Sequence, residues 1–335
     1  MAYSAAKKWE RSNSFNGLFM GKRNYLIFLC LCLSLAVTPL FIRGDYYLSV
    51  LVFMGINSLI VMGLSLLMGY AGQISLGHAA FYGIGAYCTG ILTTHFGFSI
   101  YTAFMGGIFL SVLVAIIVGI PALRLKGHYL AVATLGIGEI VFIIFNELVE
   151  LTGGPSGMSN IPGIHLGGFQ FNTSFRFFYL VWGITLLALW FSLNIIHSRV
   201  GRALRSMHGS ETAAGAMGVN LSFLKIQVFV LSAVYASIAG SLYAHFVSFI
   251  APNNFGLMIS IMFLMMGVIG GIHNIWGALF GAALLTLLPE YLRVFNEYDI
   301  LAYGAILLSI LLFMPEGVLE GTPVLIRKLF RRGKI

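Results

Sequence analysis

The sequence predicts an all-α polytopic membrane protein of about ten transmembrane helices (eight to ten), with both termini cytoplasmic. Three observations predict it. The 335 residues are 59% hydrophobic and 9% charged, against roughly a quarter charged in a soluble domain, too few charges to clothe a water-facing surface. No Asp, Glu, Lys or Arg stands within residues 46–123 or 226–289. A crossing takes roughly 20 apolar residues, so each run holds several crossings with short links. The basic residues, finally, fall unevenly between alternate links, as orientation signals do.

Taken in order, the apolar segments predict spans at about 24–42, 46–70, 76–95, 101–123, 128–148, 177–197, 226–248, 257–272, 275–290 and 300–315. The segments 257–272 and 275–290 are short and glycine-bearing, and read as half-helices, a re-entrant pair or tilted pieces packed inside protein. The domain organisation is then a cytoplasmic tail (1–23), a transmembrane domain (24–315) and a basic cytoplasmic tail (316–335). The transmembrane domain carries an outer loop at 149–176 and an inner one at 198–225. With ten spans, sixteen of the nineteen Lys and Arg residues fall inside. They include Lys22, Arg23, Arg124, Lys126, Arg199, Arg202, Arg205, Lys225 and the C-terminal group; Arg43, Arg176 and Arg293 fall outside. Asp45, Glu147, Glu150, Glu290, Glu297 and Asp299 sit on the outer side. The net charge of +8 is thus a topology signal, not a nucleic-acid surface. The basic N-terminus leads into a long apolar segment without a small-residue cleavage site, which predicts an uncleaved first helix. Cys30, Cys32 and Cys88 lie in apolar segments, without zinc-ligand spacing or a disulfide framework, and read as small hydrophobes.

Four stretches carry polar chemistry. Residues 69–85 hold five glycines with Gln73, Ser75 and His78 among them. Two readings stand: close helix packing, or a broken segment exposing backbone N–H and C=O groups to a route, with Gly72, Gln73, Ser75, Gly77 and His78 along it. Glu139 lies thirteen residues beyond Lys126, about 20 Å along a helix. An acid at that depth costs about 2.5–3.5 kcal/mol on insertion scales, so it should face protein or water, either bonding helices together or lining the route. The outer run Leu151–Gly163 is rich in Gly and Pro and reads as a shaped turn. In the inner loop Arg202 and Arg205 are three apart, one helix face. Ser210 is placed to cap a short helix that opens with Glu211 and ends at Gly218.

No G-x-x-x-x-G-K-[ST] sequence occurs, so the chain carries no ATP-cradling loop of that kind. His78, His95 and His128 are scattered, with no H-E-x-x-H pattern. An enzyme, a metal site and a resident cofactor are therefore not expected. An ion-coupled transporter would need a cluster of membrane carboxylates, and Glu139 is isolated.

Together "GYAGQISLGHAAFYGIGAY", "LRLKGHYLAVATLGIGEIV", "LTGGPSGMSNIP" and the loop ending "AAGAMGVN" resemble the LivM-type permease of branched-chain amino acid ABC importers. The likeness covers nearly the whole chain after about residue 45. It implies an ATP-driven, binding-protein-dependent importer of the bacterial inner membrane. A LivH-type permease subunit, two cytoplasmic ATP-binding subunits and a periplasmic substrate-binding protein would complete it. The inner loop is similar to the coupling segment of importer permeases, which implies Glu211, Ala213, Ala214 and Gly218 as the ATPase contact. His128 stands where such permeases more often have an acid. Related permeases carry urea, short amides and other amino acids, so these remain alternatives for the cargo.

Overall fold

Among the described residues, ten apolar helices stand at the ten expected segments. The computed structural model describes residues 22–42, 44–166, 169–171, 173–293, 299–314 and 317–319. The expected tails at 1–23 and 316–335 lie outside the described residues, except for 22–23 and 317–319. Helix α1 spans Lys22–Phe41 and α2 Asp45–Leu64, which runs on as a π-helical turn, Ser65–Tyr70. Then come α3 (His78–Thr94), α4 (Ile100–Ala122), α5 (His128–Glu147) and α6 (Ser174–His197). Two short helices follow, α7 (Arg199–Gly209) and α8 (Glu211–Ala216). The chain closes with α9 (Leu221–Val247), α10 (Leu257–Gly270), α11 (Ile275–Leu292) and α12 (Asp299–Phe313). Lipid offers no hydrogen bonds, so a spanning backbone must satisfy itself within each segment, and these glycine- and β-branched-rich runs are helical for that reason.

Eight of these helices are long and apolar enough to cross a bilayer among the described residues. Of the eight, α10 qualifies only together with the helical turn Pro252–Phe255 before it, a run of 19 residues; the exceptions are α3, with 17 residues, and α12, with 15. At 1.5 Å per residue α3 spans about 26 Å, less than the roughly 30 Å of a hydrocarbon core. Local signals fix the helix ends: Ser99 accepts the Thr102 N–H at the start of α4, Asn220 the Phe223 N–H at α9, and Asn274 the Trp276 N–H at α11.

Helix α9 is the centre, packed on α2, α3 and α4. It meets α3 backbone to backbone: a Cβ at Gly240 would overlap the Tyr82 carbonyl, and one at Gly85 the Ser237 carbonyl. Small residues let helices approach where there is no water to drive them together. The same device locks α10 to α11 as a hairpin through Gly270, Gly277 and Gly281. Away from this core α1 and α4 turn large apolar side chains outward, Phe109 at 70% and Ile117 at 62% exposure. A soluble monomer does not carry such a surface; lipid covers it. Cys30 is exposed and Cys32 and Cys88 partly so, all three free thiols. They therefore stand nearer the outside than the buried positions usual for cysteine.

Two ionic clusters mark the two ends of the bundle. Glu290 pairs with Arg293 at 3.5 Å, and both reach Tyr46, tying the end of α11 to the start of α2. At the other end Glu211 joins Lys126 and Lys225. The run Leu151–Gly163 is a turn as expected, with positive φ at Gly153, Gly154, Gly157 and Asn160. It is not a loose surface loop. Its strand β1 (Met158–Ser159) pairs antiparallel with a second short strand at Phe249–Ile250, Met158 opposite Ile250. Met158, Ile161 and Ile164 are buried, and His245 Nδ1 is 2.7 Å from the Pro162 carbonyl oxygen.

Candidate functional site: a broken span, an open helix face and an inner helix

Residues 71–77 leave the helical conformation between the π-helical turn and α3. Such π-helical turns gather where a span must be interrupted. Here the interruption is held by the α10–α11 turn: Ser65 Oγ donates to the Ile272 carbonyl at 2.8 Å, and His273 Nδ1 stands 3.1 Å from the Gly69 carbonyl oxygen. Gly72 has φ +69°, and His208 of α7 fills the space where its side chain would be. His208 titrates below the usual histidine range, through burial and then the neighbouring His273.

The break runs from the end carrying Lys225 to about half depth. His78, the first residue of α3, is bonded to Ser232, roughly 17 Å along α9 from its start at 1.5 Å per residue. Gly77 rests on α5, where a Cβ would overlap the Thr134 carbonyl oxygen. The span is therefore broken, and the break is tightly packed.

The expected exposed donors are closed off. Leu76 N–H donates to Thr134 Oγ1 at 3.0 Å and Ala79 N–H to Ser260 Oγ at 3.0 Å. His78 is buried between Ser75 Oγ and Ser232 Oγ, each at 3.0 Å. Ser232 gives its own hydroxyl proton to the Phe229 carbonyl at 2.8 Å. The Nε2 of His78 must then be the donor to Ser232, and its Nδ1 the acceptor from Ser75. Such buried hydroxyl partners are demanded wherever water cannot reach. Gln73 is the exception. Its Nε2 donates to the Ala71 carbonyl at 3.2 Å, while its buried Oε1 has no partner among the described residues.

Helix α5 is buried on one side only, by Leu130, Ala131, Thr134 and Phe145. The opposite face, His128, Val132, Gly136, Glu139 and Ile143, falls at spacings of four, four, three and four, one stripe of a helix. All but the partly covered Gly136 are exposed. Glu139, near the middle of the 20-residue helix, has no hydrogen bond or ion pair among the described residues. The described residues of the chain therefore leave it uncovered.

The link 198–225 folds as two helices. The side chain of Ser198 caps α7 by accepting the Val200 and Gly201 N–H groups. Arg202 and Arg205 do not act as one face. Arg202 is exposed, whereas Arg205 turns inward to donate to the Ile196 carbonyl at 3.0 Å, at the negative end of α6. Ser210 accepts the Ala213 N–H at 3.3 Å and so opens α8. Gly218, at φ +81°, closes it: Gly218 N–H bonds the Gly215 carbonyl and Val219 N–H the Ala214 carbonyl, a Schellman ending. Ala214 is buried within the chain, while Ala213, Gly218 and Met217, at 85% exposure, face out.

Glu211 is also drawn inward. Its Oε1 is 2.5 Å from Lys225 Nζ and its Oε2 3.3 Å from Lys126 Nζ. Burial alone would raise its pKa; the hydrogen bond and charge of Lys225, then those of Lys126, outweigh this and hold it below the usual range. Lys225 is 6% exposed, and stripping a buried charge of its partner costs about 3–5 kcal/mol. Nothing local in the sequence marks Lys126 or Lys225 as a partner of Glu211. The available clue is that Glu211 is the single acid of the link 198–225, with one lysine at the far end of that link and another just before α5.

Residues 46–314 match the family described as the permease component of branched-chain amino acid transport systems. The high-affinity branched-chain amino acid transport permease LivM of Salmonella typhimurium is 31% identical over 319 residues, 88% of this chain and 75% of the relative. A probable LivM of Methanocaldococcus jannaschii is 23% identical, with 84% and 95% covered. The LivH permease of Escherichia coli is 28% identical, with 78% and 90% covered. No solved structure matches.

Proposed function

Because the chain belongs to the branched-chain amino acid transport permease family, we propose that it forms one wall of the route in an ATP-driven, binding-protein-dependent importer of branched-chain amino acids. The reading places it in the bacterial inner membrane with the link 198–225 in the cytoplasm. Its partners are a LivH-type permease, two cytoplasmic ATP-binding subunits and a periplasmic substrate-binding protein. The observation that carries this is the family match over residues 46–314, joined to a capped six-residue helix presented at the basic end of the bundle.

The second permease would face α5 and enclose the substrate route with it. That gives Glu139 the polar surroundings a mid-span carboxylate needs, and an acceptor for the ammonium of an amino acid. Substrate donors would come from the break at Gly72–Gly77, including Gln73, Ser75 and His78, once α3 and α5 part and free the N–H groups now held by Thr134 and Ser260. ATP binding and hydrolysis on the partner subunits would supply that movement through α8. Arg202, Ala213 and Gly218 present the outward side of this coupling link. Arg205, Glu211 and Ala214 brace it from within. The substrate shifts the equilibrium only as far as it binds the two states differently.

Uptake of labelled leucine at low concentration, in native cells with and without the gene, tests the cargo. Loss of uptake, restored by the wild-type gene, is expected. Unchanged leucine uptake would contradict the branched-chain assignment and move it to urea, short amides or another amino acid.

A further inference from the structure

Glu211 opens the short helix α8, yet its side chain folds back onto the bundle. Its two carboxylate oxygens are divided between two lysines on two different elements. Lys225 stands in the second turn of the central helix α9. Lys126 stands in the α4–α5 link, two residues before α5 begins, and the intervening Gly127 has φ +56°. Among the described residues, no other ion pair lies at this end of the bundle. The carboxylate is therefore the one ionic point at which α8, α9 and the foot of α5 meet.

Stability alone does not account for this choice. A buried ion pair holds no better than well-packed apolar residues of the same volume. What distinguishes it is reach. A lysine ammonium on a four-carbon stem keeps its partner while the elements shift against each other, whereas packed apolar side chains lose contact over a fraction of an ångström. The outward side of α8 meanwhile carries Thr212, Ala213, Gly215, Ala216 and the exposed Met217, none of them charged.

We propose that Glu211, Lys225 and Lys126 form an ionic junction that passes displacement of α8 to the feet of α9 and α5. In it Glu211 is a positioning residue and not a contact to the ATPase. This rests on the reading of α8 as the coupling helix. It also connects that helix to α5, whose exposed stripe carries Glu139.

The test uses the assembled transporter. E211Q, K225M, K126M and the exchange E211K/K225E are compared with wild type for membrane abundance, co-purification of the ATPase subunits, and substrate transported per ATP hydrolysed. E211Q and K225M are expected to keep the ATPase bound while transport per ATP falls about tenfold, and the exchange to recover a large part of it. K126M removes an exposed partner without leaving a buried charge. It is expected to keep full abundance and lose roughly two- to threefold in coupling, so the proposal stays testable if K225M fails to fold. Loss of ATPase binding in E211Q but not in K126M would make Glu211 a partner contact and overturn the proposal. So would undiminished transport per ATP in E211Q and K126M. If no ATPase accompanies the wild type, the coupling-helix reading itself fails and the junction with it.

Discussion

The break at 71–77 and the helix Glu211–Ala216 are both short, small-residue segments outside the long spans, and the fold treats them oppositely. In the break, the Leu76 and Ala79 N–H groups and His78 have been given hydroxyl partners from other helices. In the inner helix the ends are closed by their own neighbours, Ser210 and Gly218, and most of the outer surface is left bare. The first segment draws on neighbouring helices for the Leu76 N–H and for the start of the helix that follows it. The second is self-sufficient and held to the bundle by one carboxylate. Small residues thus serve close packing in one place and a shallow docking surface in the other, and the partners of the backbone tell the two apart.

Substitutions sharpen that comparison. The largest effect is expected at Gly77→Val, where a side chain would drive into the Thr134 carbonyl. Overpacking of this kind costs about 1–3 kcal/mol or more, and protein abundance in the membrane should fall. Normal abundance with normal uptake would mean that α3 and α5 are not held as described. Met217→Asp is expected to do the reverse, leaving abundance intact while uptake drops on the order of tenfold as a central contact is lost. If uptake were unchanged, Met217 would lie outside the docking surface.

The smallest effect concerns pH. The carboxyl of Glu211 is held below its ordinary value. The stability it contributes is therefore present above an unfolded-state value of about 4.3 and is lost as pH falls through the lower folded-state value. The difference in thermal midpoint between wild type and E211Q should be constant from about pH 6 to 8 and shrink only below about pH 4. A difference that vanished near neutrality would contradict the ion pairing.

The sequence made the spans legible because charge-free runs and the cost of exposing backbone to lipid act locally. The cap at Ser210 and the stop at Gly218 were legible for the same reason: each is a relation between residues a few positions apart. What stayed hidden were relations across the chain. His78 reads as a packed histidine from its setting, but nothing nearby names Ser232 as its partner. Arg202 and Arg205 share a helix, yet their fates differ because the carbonyl of Ile196 lies beside only one of them. Lys225 looks like a topology signal until Glu211 folds back onto it. Glu139 is legible as costly in lipid, but not that the described residues of its own chain leave it exposed.

Purification from native membranes in mild detergent addresses the central claim most directly. The account predicts that this chain emerges with a second, related permease and two ATP-binding subunits, and that the assembly hydrolyses ATP faster when a loaded substrate-binding protein is added. A chain that emerges without ATP-binding subunits, and that moves substrate in vesicles on an ion gradient alone, would contradict it.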